Sequence, residues 1–258
     1  MKVLTSSLLL ACAAVASAAP LTLTWTIDGV QRQALVYAPV PTAAAVRAPV
    51  IFGFHGHGGT TNTASMAMHF QTVWPQAVVV YMQGIPTPSH VDPSGLRSGW
   101  QSEPGQVGDR DLKFFDAVLA TIKQRFAVDD KRVYATGFSN GAIFSLLLWA
   151  ERGKELAGIG VCAGVLLPTV HPTTPRPLIH IAGERDPIAK YSLQLATMKQ
   201  ERQINACSED GHPLGFGATL YPSTKHAPVE TVIHRAGHVY PPNASLWMVE
   251  FFKGHAAQ

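Results

Sequence analysis

Residues 133–146 read VYATGFSNGAIFSL. Strand formers run into Gly137-Phe138-Ser139-Asn140-Gly141, and helix formers run out of it. A serine bracketed by two glycines at such a switch has two readings. One is an ordinary tight turn. The other is a sharp, strained turn that lifts Ser139 out of a sheet and sets it near a helix N-terminus, with glycines where a side chain would strike the adjoining strand or helix. The pattern G-x-S-x-G is weak alone, and the strand before and helix after it supply the context it requires. A serine hydroxyl is a poor nucleophile until a base takes its proton.

That base should be a histidine held by a carboxylate, in the chain order Ser, acid, His. LIHIAGERDPI places Asp186 in a loop after a predicted strand, with Glu184 as a competing acid on the same loop. TVIHRAGHVYPP places His238 in the loop after the last predicted strand, with His234 as a rival base within or at the end of that strand. The bland alternatives are a turn or N-cap role for Asp186 and a surface role for His238. The oxyanion of an acyl-transfer reaction needs two N–H donors. One is expected from the backbone of Asn140, the residue after Ser139. The other is expected from His57, in the glycine-rich stretch FGFHGHGGT after an early strand. His55-x-His57 also has the look of half a metal site. No third ligand with suitable spacing is evident, so neither a metal nor a cofactor is expected. His234 and His238 stand four apart, but Gly237 argues against a helix that would align them.

These residues need a scaffold that brings them to one edge. LTLTWTIDGVQRQALVYAP reads as a hairpin turning at Asp28-Gly29. PVIFGFHG, AVVVYMQG, KRVYATG, LAGIGVCAG, RPLIHIAG and VETVIHRAG read as strands. Between and after them, residues 60–75, DLKFFDAVLATIKQRF, AIFSLLLWAERG, KYSLQLATMKQER and NASLWMVEFFKGH read as helices, with Asp111 favourably placed near the start of the second. Alternation of this kind predicts an α/β fold with a mostly parallel central sheet and helices on both faces. In such sheets ligands bind at the strand C-terminal ends. Residues 84–108 and 205–218, rich in Pro, Gly and Ser, interrupt the rhythm and read as long loops.

The chain has 258 residues, 47% of them hydrophobic and only 14% charged, which suits one large core and excludes a disordered chain or coiled coil. Its formal charge is +3 without a Lys/Arg run, so nucleic acid is not an expected partner. MKVLTSSLLLACAAVASAAP has a positive start, an apolar stretch and the small-x-small site Ala16-Ser17-Ala18. This is a signal-peptide pattern over residues 1–18, leaving 19–258 as a single catalytic domain of a secreted, monomeric protein. Leu9-Leu10-Ala11-Cys12 loosely matches a lipobox, which keeps a lipid-anchored form, alongside a periplasmic one, as a lesser alternative. No later stretch is long and apolar enough to span a bilayer. Cys162 and Cys207 could pair after export, or Cys162 could be a buried free thiol in its strand. Asn243-Ala244-Ser245 is a glycosylation sequon, relevant only in a eukaryotic secretory host.

With these pieces in hand, the chain resembles the α/β-hydrolase esterases of the polyhydroxybutyrate depolymerase-like and feruloyl or acetylxylan esterase-like group. The resemblance rests on HGHGG, GDRDLKFFDAVLATI, RVYATGFSNGA, HIAGERDPI and AGHVYPP…FFKGH, in the family's order from about residue 34 onward. It implies an α/β-hydrolase fold and a secreted esterase acting on ester-decorated polysaccharide or on polyesters, with Ser139, Asp186 and His238 as the triad. Tyr240 stands where the family often has tryptophan, and Met82 where it often has proline; both bear on acyl and leaving-group preference. Trp100 matches a tryptophan the family often carries, and with Tyr240 it is expected to line the substrate cleft, or else to pack beneath the loop. Two other function classes fit the same residues. One is an acyltransferase sharing the acyl-enzyme, and the other a non-catalytic carbohydrate-binding relative.

Overall fold

The computed structural model describes residues 19–40 and 46–255. The expected signal segment and Cys12 lie outside the described residues. The elements run β1 (Leu21–Ile27), β2 (Val30–Tyr37), β3 (Ala48–Phe54), α1 (Thr61–Met68), α2 (Phe70–Val73), β4 (Val78–Met82), β5 (Ile85–Pro86) and β6 (Ser98–Gly99). They continue with α3 (Arg110–Arg125), β7 (Val128–Phe138), α4 (Asn140–Arg152), β8 (Gly158–Cys162), β9 (Leu178–Gly183) and α5 (Tyr191–Ile204). The chain closes with β10 (His212–Gly215), β11 (Ala218–Tyr221), β12 (Val229–His234) and α6 (Ala244–Gly254).

Ten strands form one sheet in the order β1-β2-β4-β3-β7-β8-β9-β12-β11-β10. From β4 across to β12 every pairing is parallel, and antiparallel hairpins extend both edges. The central strands APVIFGF and VVVYM are buried at every position, because helices cover both their faces. The alternation of side chains divides the core in two. Val50, Phe52, Phe54, Val80 and Ala135 pack with Phe115 and Val118 of α3 and with Phe144 and Leu148 of α4. Ile51, Val79, Tyr81 and Tyr134 point the other way and pack with α1, Phe70, Met248 and Phe252. Cys162 belongs to the second layer and Cys207 borders the first, and both are free thiols, so the possible disulfide does not form. Residues 205–218 are not a plain loop. They hold β10 and the turn into β11, whose glycines at 215 and 217 take φ +90° and +81°. Among the described residues no helix is long and apolar enough to cross a membrane.

Residues 84–108 are tied down by a buried ion pair. Arg32 of β2 donates to Asp111 Oδ1 at 2.7 Å with both side chains wholly buried, and its guanidinium lies 4.3 Å from the centre of the Phe114 ring. Asp111 Oδ2 accepts the Gln101 N–H at 2.8 Å, and Gln101 Oε1 accepts the Asp111 N–H at 3.0 Å. Asp111 therefore does more than face the helix dipole: it fastens the chain on either side of Gln101 to the sheet. Removing one partner strands a buried charge, so Asp111→Ala should cost about 3–5 kcal/mol in urea unfolding, while Arg32→Met/Asp111→Leu should cost less than either single change. A double variant less stable than both singles would contradict this.

Candidate active site

The parallel strands β3, β7, β9 and β12 end at one edge, and each hands the site one piece. After β7 the backbone turns through Ser139 at φ 55°, ψ −120°, a conformation L-residues avoid and one that costs on the order of 1–3 kcal/mol. The turn needs both flanking glycines. A Cβ at 137 would lie 2.1 Å from the Gly141 carbonyl oxygen, and a Cβ at 141 would lie 2.2 Å from that of Phe54. Ser139 N–H donates to Cys162 O at 2.9 Å, anchoring the turn to the neighbouring strand.

The hydroxyl so raised meets an unbroken relay. Ser139 Oγ lies 2.8 Å from His238 Nε2, and His238 Nδ1 lies 2.8 Å from Asp186 Oδ2. Asp186 is 6% exposed, so its charge depends on protein donors. Its Oδ1 accepts the N–H groups of Ile188 at 2.8 Å and Ala189 at 2.9 Å, and Gln194 Nε2 donates to Oδ2 at 3.3 Å. A carboxylate thus held obliges His238 to present its Nδ1 proton to Asp186 and its Nε2 lone pair to Ser139. The two rivals stand elsewhere. Glu184 is exposed, and His234 Nδ1 accepts the Ala236 N–H at 3.2 Å. Burial pushes the His234 pKa down, against upward pulls from Asp186 and Glu184. Gln194, on α5, is a supporting residue that sequence reasoning missed, since nothing marks a helix glutamine as facing a loop.

The stretch after β3 passes beside Ser139: a Cβ on Gly56 would be 3.4 Å from Ser139 Cβ. His55 and His57 have different tasks there. Gly84 N–H donates to His55 Nε2 at 2.9 Å, so the ring proton is on Nδ1 and goes to Gly56 O at 2.8 Å. Both ring nitrogens are therefore spent on backbone, which is inconsistent with a His55-x-His57 metal pair. Burial drives the His55 pKa down to about 4, with the Gly56 carbonyl pulling upward and His57 downward. Asn140 opens α4, so its N–H has no carbonyl a turn earlier to bond. Its side chain binds the long loop, accepting the Trp100 N–H at 2.7 Å and donating to Trp100 O at 3.1 Å.

Beside Ser139 lies a hollow of about 340 Å³ whose walls include Gly56, His57, Ala64, Met68, Phe138 and Tyr240. Tyr240 contributes its ring, its hydroxyl being bonded to Ser245 Oγ at 2.7 Å. Trp100 does not line it. That side chain is fully buried, stacked 5.3 Å from Phe144 with its indole N–H on His55 O at 2.9 Å, so it packs beneath the loop. Met82 is likewise buried in the sheet core.

His55 predicts an acid response. Its folded pKa, about 4, lies below its ordinary 6.5, so between those values the unfolded chain takes a proton that the native chain refuses. Stability falls as pH drops through that window. The thermal midpoint followed from pH 7 to pH 4 should fall less steeply in His55→Gln, whatever its starting level. Equal slopes would remove His55 from the account.

Comparison with known proteins identifies the family. Residues 37–231 match the family model described as Phospholipase/Carboxylesterase. The bifunctional acetylxylan esterase/xylanase XynS20E of Neocallimastix patriciarum is 26% identical over 70% of this chain, a match spanning 25% of that protein. Feruloyl esterase D of Neurospora crassa is 31% identical over 40% of the chain and 30% of its own length. The chain thus spans about a quarter to a third of those two relatives. The probable feruloyl esterase C of Aspergillus flavus is 26% identical over 73% of the chain and 69% of its own length. Among solved structures, the acetyl xylan esterase from Aspergillus awamori superimposes with a TM-score of 0.61 at 14% identity, covering 90% of this chain and 98% of that one, which speaks to fold alone. With its mostly parallel sheet and the family match over most of its length, the chain belongs to the phospholipase/carboxylesterase family of α/β-hydrolases.

Proposed function

We propose that the chain is a serine carboxylic-ester hydrolase working through an acyl-enzyme. The observation that carries this reading is the relay Ser139 Oγ–His238–Asp186, with 2.8 Å at each step. Ser139 Oγ attacks the ester carbonyl carbon while His238 Nε2 takes its proton. Asp186 holds the tautomer and stabilises the imidazolium that forms. Negative charge on the carbonyl oxygen is met by the N–H groups of Asn140 and His57, which develop their full effect only in the tetrahedral state. His238 returns the proton to the departing alkoxide. Water, deprotonated by the same histidine, then attacks the acyl-serine and releases the acid.

The acyl group enters the hollow between the 55–59 loop and α1, where apolar walls at Ala64, Met68, Phe138 and Tyr240 favour burial of a hydrocarbon or aromatic acid. Feruloyl or acetyl esters of plant polysaccharide are the substrate class best in keeping with that hollow and with the names of the relatives. Hydroxyalkanoate esters are the competing class. Residues 19–258 act as one catalytic domain, and the lysine-led apolar segment ending at Ala16-Ser17-Ala18 directs export, a reading supported by sequence alone.

Ser139→Ala should fold normally and lose about four to six orders of magnitude in hydrolysis of p-nitrophenyl acetate. Retention of most of the activity would end the proposal. Asp186→Asn should lower kcat by about four orders of magnitude, whereas Glu184→Gln and His234→Gln should each stay within about threefold of the parent, since only Asp186 and His238 join the relay. In a panel of methyl ferulate, acetylated xylan and hydroxybutyrate oligomers, turnover of either of the first two is expected. Hydrolysis confined to the oligomers would shift the substrate class.

A further inference from the structure

The His57 side chain has surroundings that the ester chemistry above does not use. Its ring is 5% exposed, and Nε2 lies 3.0 Å from Asp92 Oδ2. Asp92 belongs to the 84–108 segment, in an isolated bridge with Ser89. The same Oδ2 accepts the Arg97 N–H at 2.9 Å, so the carboxylate is set in place before it meets the ring. Hydrogen bonds from His57 first and the Arg97 N–H second hold its pKa down to about 2, so it faces the imidazole as an anion. The ring proton therefore sits on Nε2.

On its other side the ring is backed by a glycine. A Cβ at 99 would fall 2.6 Å from His57 Nδ1 and 3.1 Å from Asn140 Oδ1. Nδ1 is buried with no protein partner. The imidazole is thus wedged between Asp92 and the backbone at Gly99, one residue from the place where the Asn140 amide grips Trp100. The flanking backbone is stitched to the same segment: Gly58 N–H donates to Ser98 O at 2.6 Å, and Ser98 Oγ donates to Gly59 O at 2.6 Å. At residue 57 the tie to that segment is made by the histidine's own ring.

We propose that Asp92 is a positioning residue which, by gripping the His57 ring, sets the peptide plane that aims the residue-57 N–H at the oxyanion. The long 84–108 segment is in this view the outer support of the oxyanion hole. It acts through His57 and touches no substrate. The inference rests on reading the Asn140 and His57 N–H groups as the oxyanion donors.

The test uses p-nitrophenyl acetate turnover and inhibition by phenylboronic acid, whose tetrahedral serine adduct presents an oxygen to the same donors. Asp92→Ala should lower kcat about 10- to 100-fold with KM within about twofold, and weaken boronate binding in parallel. Asp92→Asn, whose amide oxygen accepts the same N–H, should stay within about threefold of the parent. Because Asp92 acts through the ring, adding Asp92→Ala to His57→Ala should bring no further loss. Asp92→Ser, too short to reach the ring, runs alongside so that a misfolded alanine variant leaves the comparison intact. Parental kcat in the alanine or serine variant, a loss confined to KM, or additive losses in the double variant would each overturn the role. Ser139→Ala separates the two readings. If it stays active, the site assignment fails; if it is dead while Asp92→Ala turns over normally, only the Asp92 role fails.

Discussion

Ser139 stands in a backbone conformation that side-chain-bearing residues avoid, and it stays there because β3, β7 and α4 press together at that point. The approach is so close that Gly137 and Gly141 have no room for a methyl group. A strain of about 1–3 kcal/mol is small beside the packing that enforces it. Phe54, Trp100 and Phe144 meet ring to ring within 4.9 to 5.3 Å directly beneath the turn, all fully buried. Each such side chain contributes about 1.5–3 kcal/mol through burial alone. The turn cannot relax without prising α4 off the sheet.

From that turn the site is assembled by hydrogen bonds that converge from separate loops. The Asn140 amide reaches to Trp100, the Trp100 indole to His55, and the His55 ring to Gly84, linking α4, the 84–108 segment and the strand ends β3 and β4. Buried polar groups of this kind are costly when unpaired, so each bond is specified by its neighbour. The same logic separates the two histidines two residues apart. His55 is kept neutral by burial and works as a strut, whereas His57 faces an anion. Asp186 is a third case, a buried carboxylate supported by two backbone N–H groups and a glutamine, which lets it orient His238 without competing for solvent.

The buried Arg32–Asp111 pair serves this assembly at a distance. In its net contribution to stability, desolvation of the two charges offsets their attraction. What it supplies is registry, since the Asp111 and Gln101 side chains each accept the other's backbone N–H and so fix where the 84–108 segment rejoins the domain. Ordering a loop of that length costs considerable conformational entropy, which these bonds help to offset.

Much of this was legible from residue order alone. Alternation of apolar runs and helical periods is a local property, so the strand and helix sequence, the glycine-bracketed serine and the Ser–acid–His order were all readable without a fold. Two choices were open in the sequence, Asp186 or Glu184 and His234 or His238, because neighbouring residues on one loop share composition and location. Only the path of the backbone after β9 and β12 brings Asp186 and His238 together beside Ser139, turning one carboxylate inward and leaving the other in solvent. Trp100 was open for the same reason: an aromatic in a long loop can face a cleft or a core, and stacking against Phe144 settled it. The hairpin within 205–218 escaped because its apolar alternation is short and interrupted by proline and glycine. Arg32–Asp111, Gln194 and Asp92 left no local trace at all. Arg32–Asp111 and His57–Asp92 span 79 and 35 residues along the chain and Gln194 meets Asp186 across 8, and such pairings exist only once the fold has set these segments side by side.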